Sequence, residues 1–109
     1  MEINTMYATY KDCYLVTDTY RANGSLAIQI MGDCGEGYPE PIATLTVCLV
    51  NENKANETRA YVDTNNCPWA MDFIEKYELG EETGLYGLSG YCMYPLVEFD
   101  MEKVKEACA

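Results

Sequence analysis

In SLAIQIM (25–31), Leu26, Ile28 and Ile30 alternate with small or polar residues, the period of a strand with one buried face. The preceding TYKDCYLVTDTY (9–20) is rich in Tyr, Thr and Val, as strands are, although apolar residues occupy both parities. Between the two lies Asn23-Gly24, the strongest short hairpin signal. GDCGEGYPEP (32–41) carries three glycines and two prolines and reads as a loop. IATLTVCLV (42–50) is a near-continuous apolar run that reads as a central strand, NENKANE (51–57) as a polar turn and TRAYVD (58–63) as a shorter strand.

The period then changes. In VDTNNCPWAMDFIEKYELG (62–80), Trp69, Phe73, Ile74 and Tyr77 fall at i, i+4, i+5 and i+8, one face of a helix over about 67–79. Asn65 or Asn66 suits its N-cap, Pro68 its first turn and Gly80 its C-terminal stop. GEETGLYGLSG (80–90), with glycines at 84, 87 and 90, reads as a second loop. YCMYPLVEF (91–99) reads as a strand, with Pro95 implying an edge or a bulge. Asp100 caps a short last helix bearing Met101, Val104 and Cys108 on one side. The order β-β-β-β-α-β-α predicts a single α+β domain over 1–109. Its expected architecture is an antiparallel sheet of four to five strands with both helices packed on one face.

Charge narrows the function classes. Eighteen acids face seven bases, a net charge of −11 over 109 residues. Direct binding to nucleic acid requires Lys and Arg for the phosphates, and anionic membranes likewise repel this surface. Residues 72–109 hold nine of the acids and three of the bases. Such a surface serves solubility. In a sharper reading it imitates nucleic acid and occupies the basic groove of a partner protein. Asp72, Glu75 and Glu78 face away from Trp69 on the helix, and with Glu81 and Glu82 they are the candidate acidic contacts. No apolar run approaches the ~20 residues of a membrane span. MEINTMYATYKD lacks the pattern of a secretion signal, so the chain reads as cytoplasmic.

Candidate chemistry is sparse. There is no histidine, which removes Ser-His-Asp and Cys-His pairs and histidine metal sites. The cysteines at 13, 34, 48, 67, 92 and 108 include no C-x-x-C, so neither a Cys₄ zinc site nor a paired redox motif is expected. They read as reduced structural thiols. No phosphate loop, dinucleotide fingerprint or calcium loop is present, so no cofactor or metal is expected. Cys67 is the one thiol of interest, because a helix N-terminus lowers a thiol pKa, although helix entry explains the stretch without catalysis. Ten tyrosines exceed what a core readily buries. Tyr86, Tyr91 and Tyr94, in and beside the glycine-rich segment, are candidate binding aromatics.

The Asn-Asn-x-Pro helix entry and the Ser-Gly-x-Cys-x-Tyr-Pro-Leu strand, within residues 60–101, carry a resemblance. Together they resemble a family of small proteins of uncharacterised function from gut anaerobes, often carried on conjugative or integrative elements. The resemblance supplies no activity and no site residues. It implies an accessory gene, a class that includes small acidic inhibitors of host defence. The leading expectation is a non-enzymatic domain that binds another protein, in its concrete form an anti-defence or DNA-mimic factor. The alternative is a small-molecule binder or thiol-dependent protein using Cys67 or the 32–41 loop around Cys34.

Overall fold

The computed structural model describes residues 1–5, 8–33 and 35–108. Strands β1 (Ile3–Asn4), β2 (Thr9–Thr19), β3 (Leu26–Asp33) and β4 (Glu40–Thr44) form one antiparallel sheet in the order β1-β2-β3-β4. The β2–β3 hairpin turns where the sequence predicts. Gly24 takes φ +71°, and the Asn23 side-chain oxygen accepts from the Ser25 N–H and hydroxyl. Along β3 buried and half-buried residues alternate strictly. In β2 the register shifts between Lys11 and Tyr14, with Asp12 at φ 53°. This bulge lets Tyr10 and Cys13, of opposite parity, both turn to the core, whereas Val16 beyond it is simply an exposed apolar residue.

The predicted loop at 32–41 is shorter, since β3 runs to Asp33 and β4 begins at Glu40. The Asp33 carboxylate shapes it by accepting from the backbone N–H groups of Gly35, Glu36 and Gly37. These bonds hold its pKa below the ordinary value. Cys34 lies outside the described residues.

The apolar run at 42–50 is not one central strand. It breaks at Leu45, between β4 and β5 (Thr46–Val47), and there the chain passes from one sheet to another. The Leu45 N–H donates to the Ile28 carbonyl, while its own carbonyl accepts from the Asp63 N–H. Leu45 is fully buried. The second sheet has the order β5-β6-β8-β7, with β6 (Arg59–Val62), β7 (Gly80–Ser89) and β8 (Cys92–Phe99), all antiparallel. Two four-stranded sheets therefore replace the single sheet expected.

Helix α1 (Ala70–Lys76) is shorter than the predicted 67–79. Neither Asn65 nor Asn66 caps it. The N-cap is Trp69, without a side-chain cap, and residues 64–66 and 68–69 are turns, in the first of which the Asn66 N–H donates to the Asp63 carboxylate. Nor does Gly80 end it. The chain turns at Glu78, with φ 55°, and Gly80 already opens β7. Helix α2 (Met101–Ala107) starts as predicted, the Asp100 carboxylate accepting from the N–H groups of Glu102 and Lys103.

Residues 80–89 form a strand and not a loop, which is the largest departure from the sequence reading. β7 and β8 make a ribbon closed by Gly90-Tyr91. Gly90 has φ +61°, the left-handed first position that a two-residue type II′ turn requires. Between Glu82 and Tyr86 the register shifts and Gly84 takes φ +84°, marking a bulge. Pro95 faces this irregular stretch, and β6 pairs with β8 only up to Leu96. Its missing N–H falls where the β6 ladder has ended, in keeping with the edge or bulge that Pro95 implied.

The main core joins Leu15, Ile28 and Ile30 of the first sheet, Val62, Val97 and Phe99 of the second, and Phe73, Ile74 and Val104 of the helices. Trp69 is only half-buried and packs at the core's margin, its ring edge-on to Phe73 at 6.0 Å. A second cluster of Leu49, Tyr61, Tyr94 and Leu96 lies on the other face of β8. Among the described residues, no helix is long and apolar enough to cross a membrane.

Candidate functional site: an acidic groove beside the β7–β8 ribbon

Only three residues separate helix α1 from β7, so the second half of the helix and the start of the strand come together. Between them, the end of β8 and the start of α2 lies an open groove of about 860 Å³. Met71, Ile74 and Phe99 give it an apolar lining. Six carboxylates surround it: Glu75 on α1, Glu78 in the turn after it, Glu81 and Glu82 on β7, Glu98 near the end of β8 and Asp100 just beyond. Lys103 is the single base among the lining residues.

Few of these carboxylates are neutralised. Lys103 Nζ stands 3.8 Å from Glu78 Oε2, with both side chains well exposed. Glu98 Oε2 accepts from Arg59 Nε at 2.7 Å, across the β6–β8 pairing that sets the two residues opposite each other. Asp100 is engaged in capping α2. Glu75, Glu81 and Glu82 are exposed. Carboxylates crowded beside a low-dielectric wall focus a negative potential into the groove.

Of the five acids singled out from sequence, Glu75, Glu78, Glu81 and Glu82 share this groove. Asp72 does not. Nor does it face away from Trp69 as expected: three residues on, it shares that side of the helix and lines a smaller hollow of about 170 Å³ with Glu2, Trp69 and Lys76. Sequence reasoning missed Glu98, Asp100 and Lys103 as groove residues. Glu98 carries a signal, being the one charged position in an otherwise uncharged strand, but its proximity to α1 depends on pairing with β7, whose residues the sequence pattern presents as a loop.

The tyrosines divide. Tyr86 is 48% exposed and Tyr91, at the tip of the ribbon, fully exposed, whereas Tyr94 is 8% exposed and packs in the second cluster on the opposite face.

Cys67 lacks the setting of a reactive thiol. It is 4% exposed, and its Sγ lies 3.8 Å from the Thr44 carbonyl. Burial, reinforced by the nearby Asp63 carboxylate, pushes the thiol up to about 11. A nucleophilic cysteine needs the reverse shift. The described cysteines at 13, 48, 67, 92 and 108 are free thiols. Among the described residues no group of three or more Cys, Asp or Glu side chains is placed to hold a metal ion. The groove thus offers charge and shape for binding a cation-bearing ligand.

A family model described as a domain of unknown function matches residues 14–109. No curated protein and no solved structure matches the chain.

Proposed function

The chain belongs to the DUF4313 family of domains of unknown function, and we propose that it is a non-enzymatic binding domain whose acidic groove receives a basic region of another protein. One observation carries this reading. Acids distant in sequence, from Glu75 to Asp100, line one groove with an apolar wall and a single lining base. Long cationic side chains suit such a place, because their methylene stems lie on apolar surface while their charged heads reach the rim. The concrete form of the proposal is imitation of nucleic acid. A partner groove built of Lys and Arg for phosphates is the natural complement of this rim, and an accessory anti-defence role in the cytoplasm, for a gene carried on a mobile element, fits that chemistry.

The test uses a lysine-rich synthetic peptide and titration calorimetry over a range of salt. Binding should weaken steeply as salt rises, since screening reaches only ~8 Å at physiological ionic strength. The combined variant Glu75→Lys, Glu78→Lys, Glu81→Lys and Glu82→Lys should abolish binding and keep the fold, because exposed charges contribute little to stability. Asp72→Lys, outside the groove, should have a much smaller effect. Undiminished binding by the combined variant would refute the groove as the site.

A further inference from the structure

The strand pairing places an apolar surface next to the acidic groove. Across the ribbon Glu82 stands opposite Val97, Tyr86 opposite Pro95 and Leu88 opposite Met93. Opposed residues of an antiparallel pair point to the same side, and side chains two apart along a strand share that side. Tyr86, Leu88 and Met93 therefore lie on the face that carries Glu82 and, further along, Val97 and Phe99. Val97 and Phe99 are buried in the main core, whereas Tyr86, Leu88 and Met93 are 48%, 61% and 58% exposed. The stripe is the uncovered end of a face whose other end is packed.

Its sequence is distinctive as well. Residues 83–97 contain no charged side chain, the longest such run in a chain with 25 charged residues. An exposed stripe of this kind, holding an aromatic side chain, has the character of an interface core. From Val97 to Met93 the ribbon advances four residues, ~13 Å at ~3.3 Å per residue. Acidic groove and apolar stripe are thus within reach of one partner segment.

We infer that this face of the ribbon is the second half of the docking surface, and that its occupant is an amphipathic cationic segment of a partner protein. Basic residues of the segment enter the acidic groove, and its apolar residues cover Tyr86, Leu88 and Met93. This rests on the acidic-groove reading above and adds the apolar half of the partner. Charge complementarity selects that occupant over a second copy of the chain, which brings another −11 to the groove.

The experiment compares two synthetic peptides of equal charge, one joining a lysine block to a leucine block and the other joining the same lysine block to serines. The wild-type protein should bind the lysine–leucine peptide about tenfold tighter, the ratio that truncating one or two interface anchors typically reverses. Leu88→Thr with Met93→Thr keeps residues suited to strands, and circular dichroism verifies the fold. That variant should lose the preference and still bind the lysine–serine peptide as the wild type does. Equal binding of both peptides by the wild type would overturn this inference and leave the acidic groove standing. Binding of neither would overturn both. A preference that survives in the variant would also overturn it. So would light scattering that finds a wild-type dimer and a monomeric variant, since the stripe would then be covered by another copy.

Discussion

Gly87 lies against the ring of Tyr61. A β-carbon at residue 87 would stand 2.7 Å from Tyr61 Cε1 and 2.6 Å from Leu49 Cδ1. Tyr61 is fully buried, so its ring has little room to withdraw. Gly87→Ala should therefore destabilise the protein by ~1–3 kcal/mol, the usual cost of overpacking a well-filled core. Urea denaturation measures this directly, and an unchanged midpoint would show that the second cluster has slack.

Burial makes Cys67 inert and links it to alkaline stability. Its thiol is raised from 9.0 to about 11 in the folded protein. The folded state thus prefers the neutral thiol, and this contribution is complete below about pH 9 and is lost as pH rises through about 11. Cys13, Tyr20 and Tyr61, raised chiefly by burial, act in the same direction. The denaturation midpoint should fall across that window, and less so for Cys67→Ala once its own lower starting stability is subtracted. Native Cys67 should resist iodoacetamide at pH 8 and react after unfolding. Rapid native alkylation at this residue would contradict the burial described.

Arg59 pairs with Glu98, but both side chains are more than 40% exposed. Arg59→Ala should change stability by less than ~1 kcal/mol, as for other exposed ion pairs. It also releases a groove carboxylate from its partner. Affinity for a lysine-rich peptide should rise at low salt, and an unchanged affinity would show that Glu98 takes no part in attracting cations.

Asp33 organises the loop after β3 through its charge. Its folded pKa is lowered by the N–H groups of Gly35, Gly37 and Glu36. The contribution is therefore present above 3.8 and disappears as pH falls through the lower folded value. Asp33→Ala should speed hydrogen exchange at the amides of Gly35 and Gly37 at neutral pH. An NMR titration of the wild type should find the Asp33 carboxyl protonating below 3.8, and a midpoint above that value would contradict the loop's bonding.

Much of the first sheet was legible because Leu26, Ile28 and Ile30 alternate cleanly and Asn23-Gly24 marks the turn. The start of α2 was legible from Asp100. The β7 strand was hidden by glycines that looked alike in sequence and serve different purposes. Gly84 opens a bulge, Gly87 lies flat on an aromatic ring and Gly90 makes a two-residue turn. The break at Leu45 left no trace because its neighbours Thr44 and Thr46 suit a strand as well as the apolar residues beyond them do, and such a run reads the same within one sheet or between two. The end of α1 was misplaced by three residues, from Lys76 to 79, because Gly80 attracted the assignment, whereas Glu78 takes the left-handed conformation. For the groove, the acids of one segment were visible, but Glu98 and Asp100 join them only through pairings distant in sequence.

Leu45 has a consequence for how the protein comes apart. One residue gives its N–H to the first sheet and its carbonyl to the second, so neither sheet frees that residue by opening alone at its own far edge. The two sheets are riveted into one cooperative unit at this point. Its amide should be among the slowest to exchange with solvent, released only by the global opening that sets the ceiling on protection. The residue that looked least eventful in the sequence is then the natural reporter of the stability of the whole domain.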